Sequence, residues 1–484
     1  MMTEEILINV SPILTRVARV FDGELIDFSI EPTGRRSPIG NIYLGRVLSV
    51  VPTLRAAFVD VGLARDGFLS ADDARELAEE IEGDGPLPPI NQLLREGDSV
   101  LVQVARDALG DKGARLATSI SLPGRTLIYS PYRSGVALSR RITEESERER
   151  LTSILDGLLE DGEGVIVRTN AAGARLEEFS DELEALREVW RTVLQGADKG
   201  EAPAIVHADL GVVARAVRDY VSSPETTVLI DDADAFSVAK TYAGTVMPGL
   251  VDRMSLYTGG GSLFDRNDVE DQVAEILEPS VPLPGGGQII IETTAALTAI
   301  DVDSKGRNRG NPEEAAVQTN IEAAEEVGRQ LRLRGIGGAI VVDFIQMRRR
   351  ANAERVIEAL RSMLQDDPAP TDIGTISRFG LLEMTRRRAG PQLSELISRA
   401  CPACDGLGQI DTAETAADHA IATADREVEE NPGGSLTIIA APDVISAIER
   451  AANAEALGRR LGCAVTLRRD EDFLPDHFDV VRGG

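Results

Sequence analysis

The chain has 484 residues, 43% of them apolar, with a formal net charge of −29 and three cysteines. That length holds two to four domains with real cores. No uncharged apolar run approaches the roughly 18 residues of a membrane span, so no stable membrane insertion is expected. Two of the three cysteines share one Cys-x-x-Cys, which is no disulfide framework, and Met1–Glu5 carries no secretory pattern. A cytoplasmic location is therefore expected. The negative charge excludes a globally basic nucleic-acid binder but not a local positive surface. Only four of the 51 basic residues are lysine; compositional bias explains this as well as a demand for bidentate phosphate binding does.

Taken in order, residues 6–10 and 25–30 predict short strands separated by a glycine turn. From 40 to about 122 the pattern is that of five short strands with an acidic, proline-bearing insertion at 76–89, which fits an OB-type barrel. Aromatics are 4% of the chain, yet Tyr43, Phe58 and Phe68 fall close together, with Lys112 on a Gly-bounded turn at 109–113. Such rings either stack bases or fill the barrel core.

Residues 123–215 mix predicted helices at 144–159 and 181–194 with a strand at 164–169. That strand ends in Arg168-Thr169-Asn170, and Arg140-Arg141 lies upstream. Both could hold an anion; both could equally be solvated surface. Residues 216–280 read as mixed α/β, with a strand at 227–230 and a helix at 268–277.

The stretch 288–347 carries the most chemistry. Segments 288–292 and 297–303 predict a hairpin, and Asp301 and Asp303, two apart on a strand, share one face. Asn311, Pro312, Glu313 and Glu314 form a helix start. Val317, Ile321, Ala324 and Leu331 supply the apolar stripe, and Gly335 ends the helix. Arg329, Arg332 and Arg334 in the last turns suit the helix dipole. A buried strand at 339–344 is interrupted only by Asp343. Strand-end carboxylates are either salt-bridged or hold a divalent metal such as Mg2+. The three histidines (His207, His419, His477) lie elsewhere, which argues against imidazole-based cleavage.

A helix at 353–364, the stretch 376–384 and the basic run 386–388 follow, then Cys401-Pro402-Ala403-Cys404. Structural zinc takes four ligands, and no second pair exists in the chain. Two protomers could share Zn2+, or the motif is redox-active or idle. After an acidic linker, 436–481 predicts a small βαβ-like unit with Cys463 as a buried thiol.

Several runs together carry a family resemblance: Gly40-Asn41-Ile42-Tyr43, Ala57-Phe58-Val59-Asp60-Val61-Gly62, Ala299-Ile300-Asp301, Thr319-Asn320-Ile321-Glu322, Val342-Asp343-Phe344-Ile345, Ser377-Arg378-Phe379-Gly380 and Cys401-Pro402-Ala403-Cys404. Along nearly its whole length the chain resembles the ribonuclease E/G family, in the form without a long C-terminal scaffold tail. The resemblance implies an α/β multidomain fold. An OB-type barrel (39–122) would be inserted in an RNase-H-like fold (1–38 and 216–280). A 5′-phosphate sensor region (123–215), a deoxyribonuclease-I-like catalytic subdomain (281–399), a zinc-link (400–410) and a small α/β domain (411–484) would complete it. It implies magnesium-dependent endonucleolytic cleavage of A/U-rich single-stranded RNA, with a preference for 5′-monophosphate ends, in rRNA and mRNA processing and decay. The rival is an RNA-binding or ribosome-associated member with weak or lost cleavage.

Carried over residue by residue, the resemblance makes Asp301 and Asp343 the magnesium ligands; Asp303, a third carboxylate on the same face of the strand, is added to the candidate catalytic residues from this sequence itself, where it could tighten metal binding or repel the phosphate. Phe58, Phe68 and Lys112 would bind RNA. Gly124, Ile128, Arg141, Arg168 and Thr169 would sense the 5′-phosphate. Cys401 and Cys404 would share zinc with a partner protomer in a homodimer or homotetramer. Three positions depart from the pattern: Asp303 stands where the family usually has Asn, Gln346 replaces an acid, and Pro370 stands where a sensor arginine is usual. Lys305 is a further candidate for facing the phosphate, or an exposed turn lysine.

Overall fold

The computed structural model describes residues 3–33, 37–77, 88–108, 112–139, 141–306, 311–365, 367–388 and 390–483. Arg140, most of the acidic insertion and most of the 109–113 turn lie outside the described residues. Among the described residues, no helix is long and apolar enough to cross a membrane. The chain divides into two compact units, Met1–Leu396 and Ile397–Gly484.

In the first unit, a five-stranded sheet runs in the order Met254–Leu256, Thr227–Ile230, Glu4–Val10, Leu14–Phe21, Glu24–Pro32. The three N-terminal strands are antiparallel, and Thr227–Ile230 joins parallel to the first of them. The sequence pattern had shown two of these three. Arg16 and Arg19 interrupt the apolar run of Leu14–Phe21, and in the fold both are paired, with Glu270 and Glu4.

The barrel is closed. Ile42–Val51, Ala56–Asp60, Gly67–Ser70, Arg115–Ala117 and Ser99–Arg106 pair in that order, and Ser99–Arg106 pairs back onto Ile42–Val51. Closure leaves no free edge except where Ala204–His207 adds to Ile42–Leu44. Val47, Val59, Leu69, Val102 and Leu116 fill the interior. Next to it, Gly135–Leu138, Gly164–Val167, Leu127–Ser130 and Leu122–Pro123 form a four-stranded sheet. Helices Glu145–Asp156 and Leu176–Lys199 cover it through Leu151, Leu155, Phe179 and Leu183. The second helix is longer than the predicted 181–194, because nothing in its acidic first turn breaks it.

The last sheet of this unit has six strands, in the order Ser280–Pro282, Gln288–Thr293, Leu297–Asp303, Gly338–Asp343, Leu381–Arg386, Thr371–Ile376. One face is apolar. Ile289, Ile291, Ile300, Val302, Ile340, Val342, Leu382 and Met384 pack there against helices Pro312–Leu333 and Arg350–Met363. The long helix starts as its sequence predicts, with the Asn311 side chain accepting the Glu313 N–H at 3.1 Å. Its terminal arginines do more than suit the dipole. Arg332 pairs with Asp27 at 2.5 Å, and Arg329 donates to the Leu25 carbonyl at 3.1 Å, which bolts the helix to the N-terminal sheet.

The basic run at 386–388 does not lie wholly on the surface. Arg386 points inward and makes a buried two-pronged pair with Asp367, at 2.6 and 2.9 Å, and donates to the Ile336 carbonyl. Removing one partner of such a pair strands a buried charge. Asp367→Ala is expected to destabilise the chain by about 3–5 kcal/mol in urea unfolding. Glu354→Ala, which removes the exposed Arg350–Glu354 pair, should change stability by less than about 1 kcal/mol.

In the second unit, Ala464–Arg469, Ser435–Ala440 and Phe478–Gly483 form a three-stranded sheet. Helices Ala413–Glu430, Pro442–Ala451 and Ala454–Leu461 pack on it through Ala420, Ile438, Val444, Ile448 and Leu457. Cys463 is half-buried just before the first of these strands, rather than fully buried within it.

Candidate active site

Alternation along the central strands sends every second side chain away from the helices. On Leu297–Asp303 the buried positions are Thr298, Ile300 and Val302, so Ala299, Asp301 and Asp303 face outward. On the parallel neighbour Ile340 and Val342 are buried and Asp343 faces outward. The register pairs Asp301 directly with Asp343, at the strand spacing of about 4.8 Å. Partial burial, then Asp343, then Asp303, push the Asp301 carboxyl above its ordinary range. The charged groups acting on it are all carboxylates, Glu292 included. A salt-bridged pair would have shown the opposite: a cation alongside and a depressed value.

Asp303 is partly committed to the backbone. Its carboxylate accepts the Lys305 N–H at 2.9 Å, in a turn where Lys305 has φ +43°. The aspartate therefore closes the loop beyond the strand as well as adding charge to the face.

Asn320 is the residue that sequence reasoning passed over as a site residue. It is fully buried on the long helix. Its Nδ2 donates to the Ile345 carbonyl at 2.7 Å and its Oδ1 accepts the Ile345 N–H at 3.0 Å. Both backbone polar groups of Ile345, two residues past Asp343, are thus held by one amide. A polar residue inside an otherwise apolar helix face was the available signal. Glu313 does similar work further along, accepting the N–H groups of Arg348 and Arg349 and the Asn352 amide.

No group of three or more His, Cys, Asp or Glu side chains is poised to hold a metal ion among the described residues. Magnesium needs only one or two protein carboxylates and keeps its remaining ligands as water. The outward Asp301–Asp343 pair fits that demand.

On the barrel, Phe58 and Phe68 are register partners with ring centroids 5.9 Å apart, edge to face. Both point away from the interior lined by Val59 and Leu69. Tyr43 differs: it is 5% exposed and belongs to the core. Lys112 is exposed. A Cβ on the neighbouring Gly113 would lie 1.9 Å from the Asp66 carbonyl, so the lysine turn is pressed onto the loop that leads into Phe68.

The five residues expected to sense a 5′-phosphate lie in one neighbourhood. Arg168 donates to the Gly124 carbonyl at 2.6 Å and to Asp219 at 2.8 Å. Its backbone N–H meets the Thr126 carbonyl, two residues before Ile128. The Thr169 hydroxyl lies 3.3 Å from that of Ser139, which also accepts the Arg141 N–H. The Arg141 guanidinium reaches the Asp367 carbonyl. Burial would raise the Asp219 carboxyl, but Arg218 and Arg168 outweigh it and hold it low.

In the second unit, Cys401 is exposed and Cys404 half-buried. The Gly408 N–H, 3.3 Å from Cys404 Sγ, and then the Gly406 N–H lower the Cys404 thiol below its ordinary value. A turn that stabilises thiolate suits zinc, and two thiolates leave two coordination positions to be filled.

The family model for the ribonuclease E/G family matches residues 121–389. Ribonuclease G of Escherichia coli strain K12 is 34% identical over 487 residues, covering 99% of this chain and 100% of that protein. Ribonuclease G of Haemophilus influenzae is likewise 34% identical over 99% of both chains. The chain belongs to the ribonuclease E/G family. Ribonuclease E of H. influenzae is 41% identical over 403 residues, which take in 82% of this chain and 43% of that protein.

Family membership leaves Asn320 as a local test of how the site is built. Asn320→Ala would leave two backbone groups of Ile345 unpaired in a buried setting, at about 1–3 kcal/mol each where water cannot reach them. The expected outcome is a lower urea midpoint and faster amide exchange at 343–346, measured by mass spectrometry.

Proposed function

We propose that the chain is a magnesium-dependent endoribonuclease of RNA processing and decay, and that Asp301 and Asp343 are its metal ligands. The observation that carries this reading is the in-register pairing of the two aspartates on the open face of a sheet, in a chain of this family. Bound there, Mg2+ would make water nucleophilic near neutral pH and neutralise charge on the phosphorane. Asp301 and Asp343 hold that position, Asp303 adds charge and closes the adjoining loop, and Asn320 fixes the chain past Asp343.

The substrate is single-stranded, A/U-rich RNA. Phe58 and Phe68 offer apolar faces for unstacked bases, with Lys112 near the backbone. Arg168, Thr169, Arg141, Gly124 and Ile128 form the pocket for a 5′-monophosphate, weakened by Pro370. The sheet order in residues 1–38 and 216–280 supports the RNase-H-like assignment, with the barrel inserted after Glu24–Pro32. The helix-covered sheet of 281–399 serves as the deoxyribonuclease-I-like catalytic subdomain. Cys401 and Cys404 in the 400–410 link share Zn2+ with a second protomer, giving a dimer or, with the 411–484 domain, a tetramer in the cytoplasm.

With Mg2+ and a 5′-monophosphorylated A/U-rich oligomer, the purified chain should cleave to 5′-phosphate and 3′-hydroxyl ends. Asp301→Asn and Asp343→Asn should each lower kcat more than about 100-fold, beyond the range typical of residues that only support a ligand, while RNA binding persists. Binding without cleavage in the unmodified chain would establish the rival instead, an RNA-binding member without activity. For the zinc-link, Cys404→Ser should lower bound zinc and move the solution mass towards monomer; an unchanged mass would refute a shared site.

A further inference from the structure

Phe379 lies in the loop between strands Thr371–Ile376 and Leu381–Arg386, and it is 71% exposed. It belongs to none of the apolar clusters among the described residues. The loop is nonetheless tightly built. The Ser377 N–H bonds the Leu381 carbonyl at 2.8 Å, the Gly380 N–H bonds the Ser377 carbonyl at 3.0 Å, and the Phe379 N–H meets Ser377 Oγ at 3.3 Å. It is also pressed against the candidate active site. The Phe344 N–H donates to the Gly380 carbonyl at 3.3 Å. Gly380 has φ +92°, and a Cβ there would lie 3.1 Å from the Phe344 carbonyl and 3.6 Å from Asp343 Oδ1. The ring is therefore next in sequence to a glycine packed against Phe344 and Asp343, on a loop held by its own backbone hydrogen bonds.

The Arg378 guanidinium carbon sits 4.7 Å from the Phe379 ring centroid. A cation over one face restrains the ring and leaves the other face open. The surrounding surface is acidic: Asp301, Asp303, Asp343, Glu292, Glu383 and Asp372 are all exposed, and the pairing register places them on the same side of the sheet. Phosphates are repelled there unless metal is bound. A strand crossing this face needs an attachment that does not depend on phosphate charge, and an aromatic face supplies one because every base can stack on it.

We propose that Phe379, backed by Arg378, is the stacking platform for the base that flanks the scissile phosphodiester. This rests on the assignment of Asp301 and Asp343 above. Phe379 positions the strand, and it takes no part in proton transfer or metal binding.

The test uses the full chain and A/U-rich oligomers carrying 2-aminopurine immediately 5′ or 3′ of the cleaved bond. Stacking quenches that base. In the Asp301→Asn background, which holds RNA without turnover, one of the two oligomers should be quenched on binding. Adding Phe379→Ala should abolish the quench and weaken binding on the order of tenfold, while Phe379→Trp should restore both. In the otherwise unmodified chain, Phe379→Ala should raise KM by a similar factor with a smaller change in kcat and an unchanged melting temperature. Undiminished quenching and affinity in Phe379→Ala, or no quenching at either position before the substitution, would overturn the proposal. Continued cleavage by Asp301→Asn would instead refute the metal-ligand assignment, and the quenching comparison would still decide the role of Phe379 in binding.

Discussion

The structure depends on two adjacent parallel strands ending in carboxylates that the register forces side by side. Two like charges in register repel each other, and burial followed by Asp343 raises the Asp301 carboxyl. What holds the strands together lies on their other face. Ile300, Val302, Ile340 and Val342 are buried there, each contributing about 1.5–3 kcal/mol. Repulsion between two solvent-facing carboxylates about 4–5 Å apart is on the order of 1 kcal/mol in bulk water, and several-fold more only where water is excluded. Burial wins, and the acids are held in proximity whether or not a cation is present. A site arranged in this way is pre-organised for a divalent ion.

That pre-organisation reaches outward through polar contacts as well as through the packing of Leu333 with Leu7 and Leu25. Asn320 holds the peptide beyond Asp343, Glu313 holds the next turn, and Arg332 ties the same helix to Asp27 in the N-terminal sheet. The long helix is thus the common support of the loop behind the active face and of a neighbouring sheet. Arg386 and Asp367 fasten the far side of the central sheet, and the Asp367 carbonyl in turn receives Arg141. Arg141 is thereby joined by a short hydrogen-bonded route to the strand that pairs with Gly338–Asp343.

Much of this was legible in the sequence because it follows periodicity. The alternation in 297–303 already put Asp301 and Asp303 on one face, and Asn311-Pro312-Glu313 marked the helix start that the fold shows. The barrel strands were legible for the same reason. Less legible were features that depend on partners remote in sequence. Leu14–Phe21 hid behind two arginines whose partners are Glu4 and Glu270. Tyr43, Phe58 and Phe68 looked alike until barrel closure turned one ring inward and two outward. Arg329 and Arg332 had a sufficient local explanation in the helix dipole, which concealed their contacts with Leu25 and Asp27. A local reason for a charge does not exclude a distant one.

The net charge of −29 also reads differently once the acids are placed. Several of them converge on the open face of the catalytic sheet, where a bare polyanion would be least welcome. An acidic face of this kind separates binding from chemistry. On the function proposed above, RNA would attach through aromatic rings and cations outside the carboxylate pair, at Phe58, Phe68 and Lys112 on the barrel and at Arg378 and Phe379 beside Asp343. On that proposal the phosphodiester would approach the carboxylates only with a divalent cation held between them. On this argument the acidic surplus would act as a selectivity device: it would make the approach of the scissile phosphate conditional on metal, while the strand on either side would be held by contacts that do not depend on it.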